Sequence, residues 1–395
     1  MNVGPGNGLR SLGRRLQQSL SRITSGGSFI PTLDGLRFLA IFSVVLYHLA
    51  GTVAQNSPYT SLATVKESFI YAVLDQGHCG LQLFFIISGF ILAIPFVDQF
   101  IAGKPPVSLR KYYRRRVTRL VPPYICNLLA AYVIQVAAGH GTVYELWPHF
   151  LASVFYVHNL TFGGGTPLNG VAWSLEVEVQ FYVLAPLMGL LFAIPRKIVR
   201  RGILIGIIVA LATVKSFVGV DSIEAHIWRG TIVWFLDFFL AGFLLADIYV
   251  ADWNRNPSHS SWWDVWGLAG WGLVFLLQLF TESALCLWMP LPALLAYIGA
   301  FRGKLLNRVF CNPWLVTIGG MCYTIYLYHF FIIAAVGRGT LQIPAGHGFA
   351  GNFLLQAALI CPVIVCVSAV LFVLFEKPFM RPVALRRAQP AASGA

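Results

Sequence analysis

Long apolar runs alternate with short polar clusters along the 395 residues, and ten of the runs are long enough to cross the ~30 Å hydrocarbon layer of a bilayer. They fall at about 33–53, 78–97, 121–138, 172–194, 202–218, 230–249, 263–280, 284–301, 314–335 and 350–375, with Thr281 to Ser283 dividing the seventh from the eighth. A segment in hydrocarbon must satisfy its backbone internally, so the pattern predicts an all-α polytopic membrane protein of about ten transmembrane helices. No repeat, soluble domain or long linker interrupts it. Residues 31–380 therefore read as one transmembrane domain. Residues 1–30, polar, basic and rich in Gly and Ser without an apolar h-region, read as a flexible cytosolic tail rather than a cleaved signal. Residues 381–395 read as a cytosolic C-terminal tail.

Composition agrees, since 57% of residues are hydrophobic and only 11% charged. Charge then orients the helices. With both termini inside, 23 of the 28 Lys and Arg fall on cytosolic segments, seven of them between Lys104 and Arg119. The net charge of +13 is thus mostly topology, and nucleic acid is a poor explanation for it. Of the seven cysteines, most sit inside apolar runs (Cys126, Cys286, Cys322, Cys361, Cys366) without CxxC spacing. They read as packing thiols, with no metal site or disulfide framework.

Ionisable side chains inside spans cost at least ~2.5 kcal/mol each and usually face a cavity or a partner. Arg37 and His48 stand eleven residues apart in "RFLAIFSVVLYH". On a helix that spacing puts them on one face, about 16 Å apart along the axis. Counting rise per residue puts His48 about 8 Å and Glu178 about 9 Å below the outer surface. His329 and Asp237 fall near the same level. Glu176 points elsewhere on its helix and reads as a carboxylate at the lipid or loop interface. In "SLRKYYRRRVTRLVPPY", Arg116 and Arg119 lie three apart at the mouth of a helix beginning at Val121-Pro122-Pro123, where both could hold one anion. The bland reading of that loop is positive-inside topology with affinity for anionic lipid.

Five blocks in order, "LDGLRFLAIFSVVLYH", "LQLFFIISGFIL", "YYRRRVTRLVPPY", "WSLEVEVQFY" and "YTIYLYHFF", make the chain resemble acyltransferase family 3, a family of integral membrane proteins. The resemblance implies a ten-helix bacterial inner-membrane enzyme that moves an acyl group, often acetyl, from cytosolic acyl-CoA to a hydroxyl on a glycan, lipid or secondary metabolite. Arg37 and His48 fill the family's first-helix pair, and Arg116 and Arg119 its RxxR. Arg115 lies beside them as a further candidate. Glu178 matches the glutamate of "WSLxxE", and Tyr326 and His329 match "YLxH". Many members carry a second acid directly after that glutamate, where this chain has Val179. No esterase-like domain follows the tenth span, so transfer in fewer steps is expected.

Together these expectations put the phosphates of CoA at Arg37, Arg116 and Arg119, with the pantetheine arm delivering its thioester toward His48. His48 would be either general base or transient acyl carrier, and Glu178 would orient its imidazole. A different class, a transporter or flippase using the intramembrane Arg, His and Glu as a ligand or proton path, stands against this. Transporters commonly have paired halves, and none is visible here. A third option is a degenerate member that only binds lipid or a partner protein.

Overall fold

The computed structural model describes residues 17–23, 29–61, 65, 67–218, 230–279, 284–346 and 348–380. Among these the chain is helical without strands. The helices are α1 Pro31–Asn56, α2 Phe69–Phe100, α3 Leu109–Ala137, α4 Val143–Val154, α5 His158–Phe162, α6 Trp173–Ala193 and α7 Lys197–Val218. There follow α8 Ile232–Ala251, α9 Ser261–Gln278, α10 Leu285–Arg302, α11 Lys304–Phe310, α12 Pro313–Gly320, α13 Cys322–Thr340 and α14 Phe349–Met380. Eight of them are long and apolar enough to cross a membrane, and α12 with α13, bent by 72° at Met321, makes a ninth. The remaining predicted span, the seventh at 263–280, coincides with α9, whose Trp-rich first turns, Asp264 and Gln278 leave it less apolar. Much of the two predicted tails, and the division at Thr281 to Ser283, lie outside the described residues.

Two helices begin well before their apolar runs. Ser108 accepts the backbone N–H of Lys111, and the basic stretch after it contains no breaker, so α3 starts at Leu109 rather than near 121. Pro122 and Pro123 are therefore inside the helix, and Arg116 and Arg119 sit on its face one turn apart. In α2 a 3₁₀ turn at Gln76–Cys79 joins the outer turns to the main span.

Small residues set the closest helix contacts, as expected where lipid supplies no hydrophobic drive between helices. α2 and α8 touch backbone to backbone. A Cβ on Gly89 would collide with the carbonyl of Phe239, and one on Gly242 with that of Ile86. Gly319 brings α12 just as close to Asp34 on α1. Two apolar clusters result, one built around α2 and α8, the other around the C-terminal half of α1 with α3, α13 and α14. The C-terminal end of α3 is followed by α4, whose N-cap Thr142 and Glu145 form a reciprocal cap.

Two tests follow. Gly242→Leu should collapse the yield of folded, detergent-stable protein, because overpacking at a backbone contact costs ~1–3 kcal/mol or more. Gly272→Leu, with nothing within 4 Å of its Cβ position, should be neutral by size-exclusion profile and thermal unfolding. Equal behaviour of the two variants would contradict the α2–α8 contact. Cysteine-accessibility labelling should place positions 110–119 on the cytosolic side and 163–165 on the opposite side, and reversed labelling would invert the orientation read from charge.

Candidate functional site

Between the two apolar clusters lies a cavity of about 900 Å³, part of it open to solvent, whose wall is shared by α1, α2, α3, α6 and α13. Its basic part holds Arg37, Arg116 and Arg119. Arg37 is buried and ion-paired with Asp34, one helical turn earlier on α1. Arg116 has a buried Nε without a hydrogen-bond partner, and its guanidinium lies 5.5 Å from the Tyr112 ring centre and 5.8 Å from that of Tyr182. Neither Arg116 nor Arg119 is ion-paired to a carboxylate among the described residues. Uncompensated charge away from water costs several kcal/mol, so this wall is prepared for an anion.

Polar groups continue along the wall. The Glu178 carboxylate accepts hydrogen bonds from the Ser88 hydroxyl at 2.8 Å and the Tyr182 hydroxyl at 2.7 Å. Ser174 and Tyr326 share a hydrogen bond of 2.6 Å, and the Tyr326 hydroxyl also donates to the Val171 carbonyl.

Next to Tyr326, at 6.0 Å between ring centres, is His329, which is fully buried. Its Nδ1 lies 3.0 Å from the carbonyl of Ile325 and 2.8 Å from that of Tyr326. Carbonyls only accept, so Nδ1 carries the proton and Nε2 keeps its lone pair. That Nε2 is buried with no partner. The His48 ring is 5.2 Å away, flanked by the rings of Tyr47 at 4.9 Å and Phe330 at 5.5 Å. The cavity wall thus runs from guanidiniums, past a carboxylate and hydroxyls, to Tyr326, and the two imidazoles lie behind Tyr326 rather than in the cavity lining.

The structure therefore brings Arg37, Arg116, Arg119, Glu178 and Tyr326 onto one wall and sets His48 and His329 together beside it. Other expectations meet a different arrangement. No hydrogen bond joins Glu178 to His48; Glu178 instead accepts from Ser88 and Tyr182. Arg115 is exposed and off the wall, since one residue's step on a helix turns it by about 100° from Arg116. Asp237 is buried in an ion pair with Lys215 at 2.5 Å. Glu176 is also buried rather than interfacial: it accepts the backbone N–H groups of His158 at 3.1 Å and Asn159 at 2.8 Å, fixing the start of α5. Cys322, expected as a packing thiol, lines the cavity.

Sequence reading missed Asp34, Ser88, Ser174 and Tyr182. Two of these carried a signal. Asp34 stands three residues before Arg37, and Tyr182 four after Glu178, both spacings at which helical side chains meet. Ser88 and Ser174 had none beyond lying inside the quoted blocks.

Fold and site together define a polytopic helical membrane protein with a basic, anion-receptive cavity and a pair of histidines beside it. A family model described as an acyltransferase domain matches residues 30–373, and the chain belongs to that family, acyltransferase family 3. Among curated relatives, the peptidoglycan O-acetyltransferase OatA of Listeria monocytogenes is 27% identical over 336 residues, 77% of this chain and 49% of that protein. The O-acetyltransferase OatA of Staphylococcus aureus (strain NCTC 8325) is 23% identical over 342 residues, 80% of this chain and 52% of that protein. The chain spans about half the length of the curated relatives it matches. No solved structure matches it.

The charge balance of the wall has a measurable sign. Arg116→Ala with Arg119→Ala removes guanidiniums that lack counter-ions, so ligand-free thermal stability in detergent should hold or rise. Asp34→Asn strips the counter-charge from Arg37 and should cost about 3 kcal/mol or more. A marked fall in stability for the arginine pair, or none for Asp34→Asn, would contradict this assignment.

Proposed function

We propose that this chain is a membrane O-acyltransferase that moves an acyl group, acetyl above all, from cytosolic acyl-CoA to a hydroxyl of a glycan, lipid or small metabolite. The observation that carries the reading is the separation of charge from imidazole: Arg37 and His48 stand about 16 Å apart on one unbroken helix, α1, with a cavity lined by the first. A ligand with phosphates at one end and a reactive group on a thin arm suits that span. Family membership supports the reaction class, and the relatives' names support acetyl as the group and a hydroxyl as its acceptor.

In this reading Arg116 and Arg119, with Arg37, hold the phosphates, and the arm runs past Ser88 and Glu178. His48 takes the proton of the acceptor hydroxyl. The acceptor oxygen then attacks the thioester carbon, an ester C–O bond forms, the C–S bond breaks, and CoA leaves as a thiol after taking up the proton. His329 stands beside His48 with a lone pair on Nε2 and can accept the N–H of His48, which would keep the other nitrogen of His48 free as the base. A transporter has less support here. Away from the cavity the intramembrane charges close as pairs, Lys215 with Asp237 and Arg200 with Asp247, rather than forming a path.

Purified protein given labelled acetyl-CoA and a panel of hydroxyl acceptors should yield an acetylated product by mass spectrometry. Protein that binds acetyl-CoA yet acetylates nothing on a broad panel, and releases no CoA, would contradict the reading. His48→Ala should lower turnover by ~10²–10⁴, the usual cost of a lost general base, while CoA affinity by calorimetry stays within about twofold. Turnover near wild type in His48→Ala or His48→Asn would sink the role given to His48.

A further inference from the structure

Part of the polar segment before α1 is not a free tail. Residues 17–20 form a helical turn, and Leu20 and Ile23 pack against the apolar cluster that includes α3, α13 and α14. Lys377 donates its ammonium to the Ser19 carbonyl, so the turn is also tied to the end of α14. The consequence is the placement of Arg22. Its side chain is only 9% exposed, and Nη2 lies 3.4 Å from Asp34 Oδ1, the same oxygen that receives Arg37. The Arg22 Nε is buried without a partner. Gly320, at the α12–α13 bend, lies beside it, and a Cβ there would sit in ordinary contact, 3.6 Å from Arg22 Cβ.

One carboxylate therefore serves two guanidiniums. Were Arg22 absent, Asp34 would match Arg37 one to one and the basic wall would lose most of that residue's charge. With Arg22 sharing Asp34, the wall keeps more positive charge, which an added anion would balance. Burial, and then the like charges of Arg37 and Arg119, pull the Arg22 pKa down to about 9, as expected for a cation held in a crowded basic cluster. The groups facing this cluster from neighbouring elements are Asp34 on α1, Arg119 on α3, Cys322 on α13 and Glu376 on α14.

We propose that segment 17–23 is a clasp of the donor site and that Arg22 is its positioning residue, holding Asp34 so that Arg37, Arg116 and Arg119 stay available to a ligand bearing several phosphate charges. The inference rests on the acyl-CoA reading above and adds to it a part of the chain outside the five blocks of family resemblance. Coupling of this kind is reciprocal: if the seated clasp favours the phosphates, the phosphates favour the seated clasp.

The test uses the full chain in detergent with CoA as the probe. For Arg22→Gln, calorimetry should show CoA binding about tenfold weaker, as for loss of one charge beside a charged ligand, and Arg22→Lys should recover most of it. The donor KM should rise with kcat nearly unchanged, since Arg22 is remote from the imidazoles. CoA should slow hydrogen exchange across residues 17–23 in the wild type and not in Arg22→Gln. Unchanged CoA affinity in Arg22→Gln, or exchange in this segment indifferent to CoA, overturns the inference and leaves the donor reading standing. A loss of ligand-free stability in Arg22→Gln that fully accounts for the weaker binding makes Arg22 a structural staple and also overturns it. Wild-type protein that binds no CoA overturns the donor reading and this inference together.

Discussion

Burying several guanidiniums beside one another, with too few carboxylates to match them, is the constraint on which the rest of this structure depends. A cation moved from water into a protein interior loses several kcal/mol of solvation, and a partner must restore most of it. Elsewhere this chain obeys the rule by matching charges: Arg200 and Arg201 with Asp247 and Asp252, Lys215 with Asp237. At the cavity it does not. Among the described residues Arg116 and Arg119 make no ion pair, and Arg37 shares Asp34 with Arg22. Two helices of the wall are held in place by backbone contacts, α2 against α8 through Gly89 and Gly242, and α1 against α12 through Gly319.

Most of the fold was legible because hydropathy in a membrane chain reports a single structure, the helix. Each apolar run became a helix at the expected place, and the errors were of extent. α3 reaches back to Leu109 because "LRKYYRRRVTRL" is a sound helix former after a Ser cap, although nothing apolar marks it. The bend at Met321 was invisible to a hydropathy window, since the residues on both sides are equally apolar and the break rests on local backbone geometry.

The site was legible where one helix carries two participants and obscure where participants come from different helices. Arg37 with His48, and Arg116 with Arg119, follow from helical periodicity alone. The pairing of His48 with His329, α1 against α13, was readable only as similar depth, and depth could not separate His329 from Asp237, whose partner Lys215 lies on α7. Depth likewise suggested that Glu178 serves His48, whereas Ser88 on α2 holds it. The clasp was least legible of all. Its Gly- and Ser-rich surroundings read as disorder, and only the tertiary contacts of Leu20, Arg22 and Ile23 give it a place.

The central claim is that phosphate binding and acyl chemistry occupy opposite ends of one cavity, joined by a thin arm. A structure of the protein with a non-hydrolysable acyl-CoA analogue, determined by electron cryomicroscopy, tests it most directly. The account predicts density for phosphates within hydrogen-bond reach of Arg116 and Arg119, and the sulfur or its substitute at the Tyr326 end of the cavity, toward His48 and His329. Phosphates bound away from the arginines, or a thioester analogue that stops at the basic wall without extending toward the histidines, would contradict it.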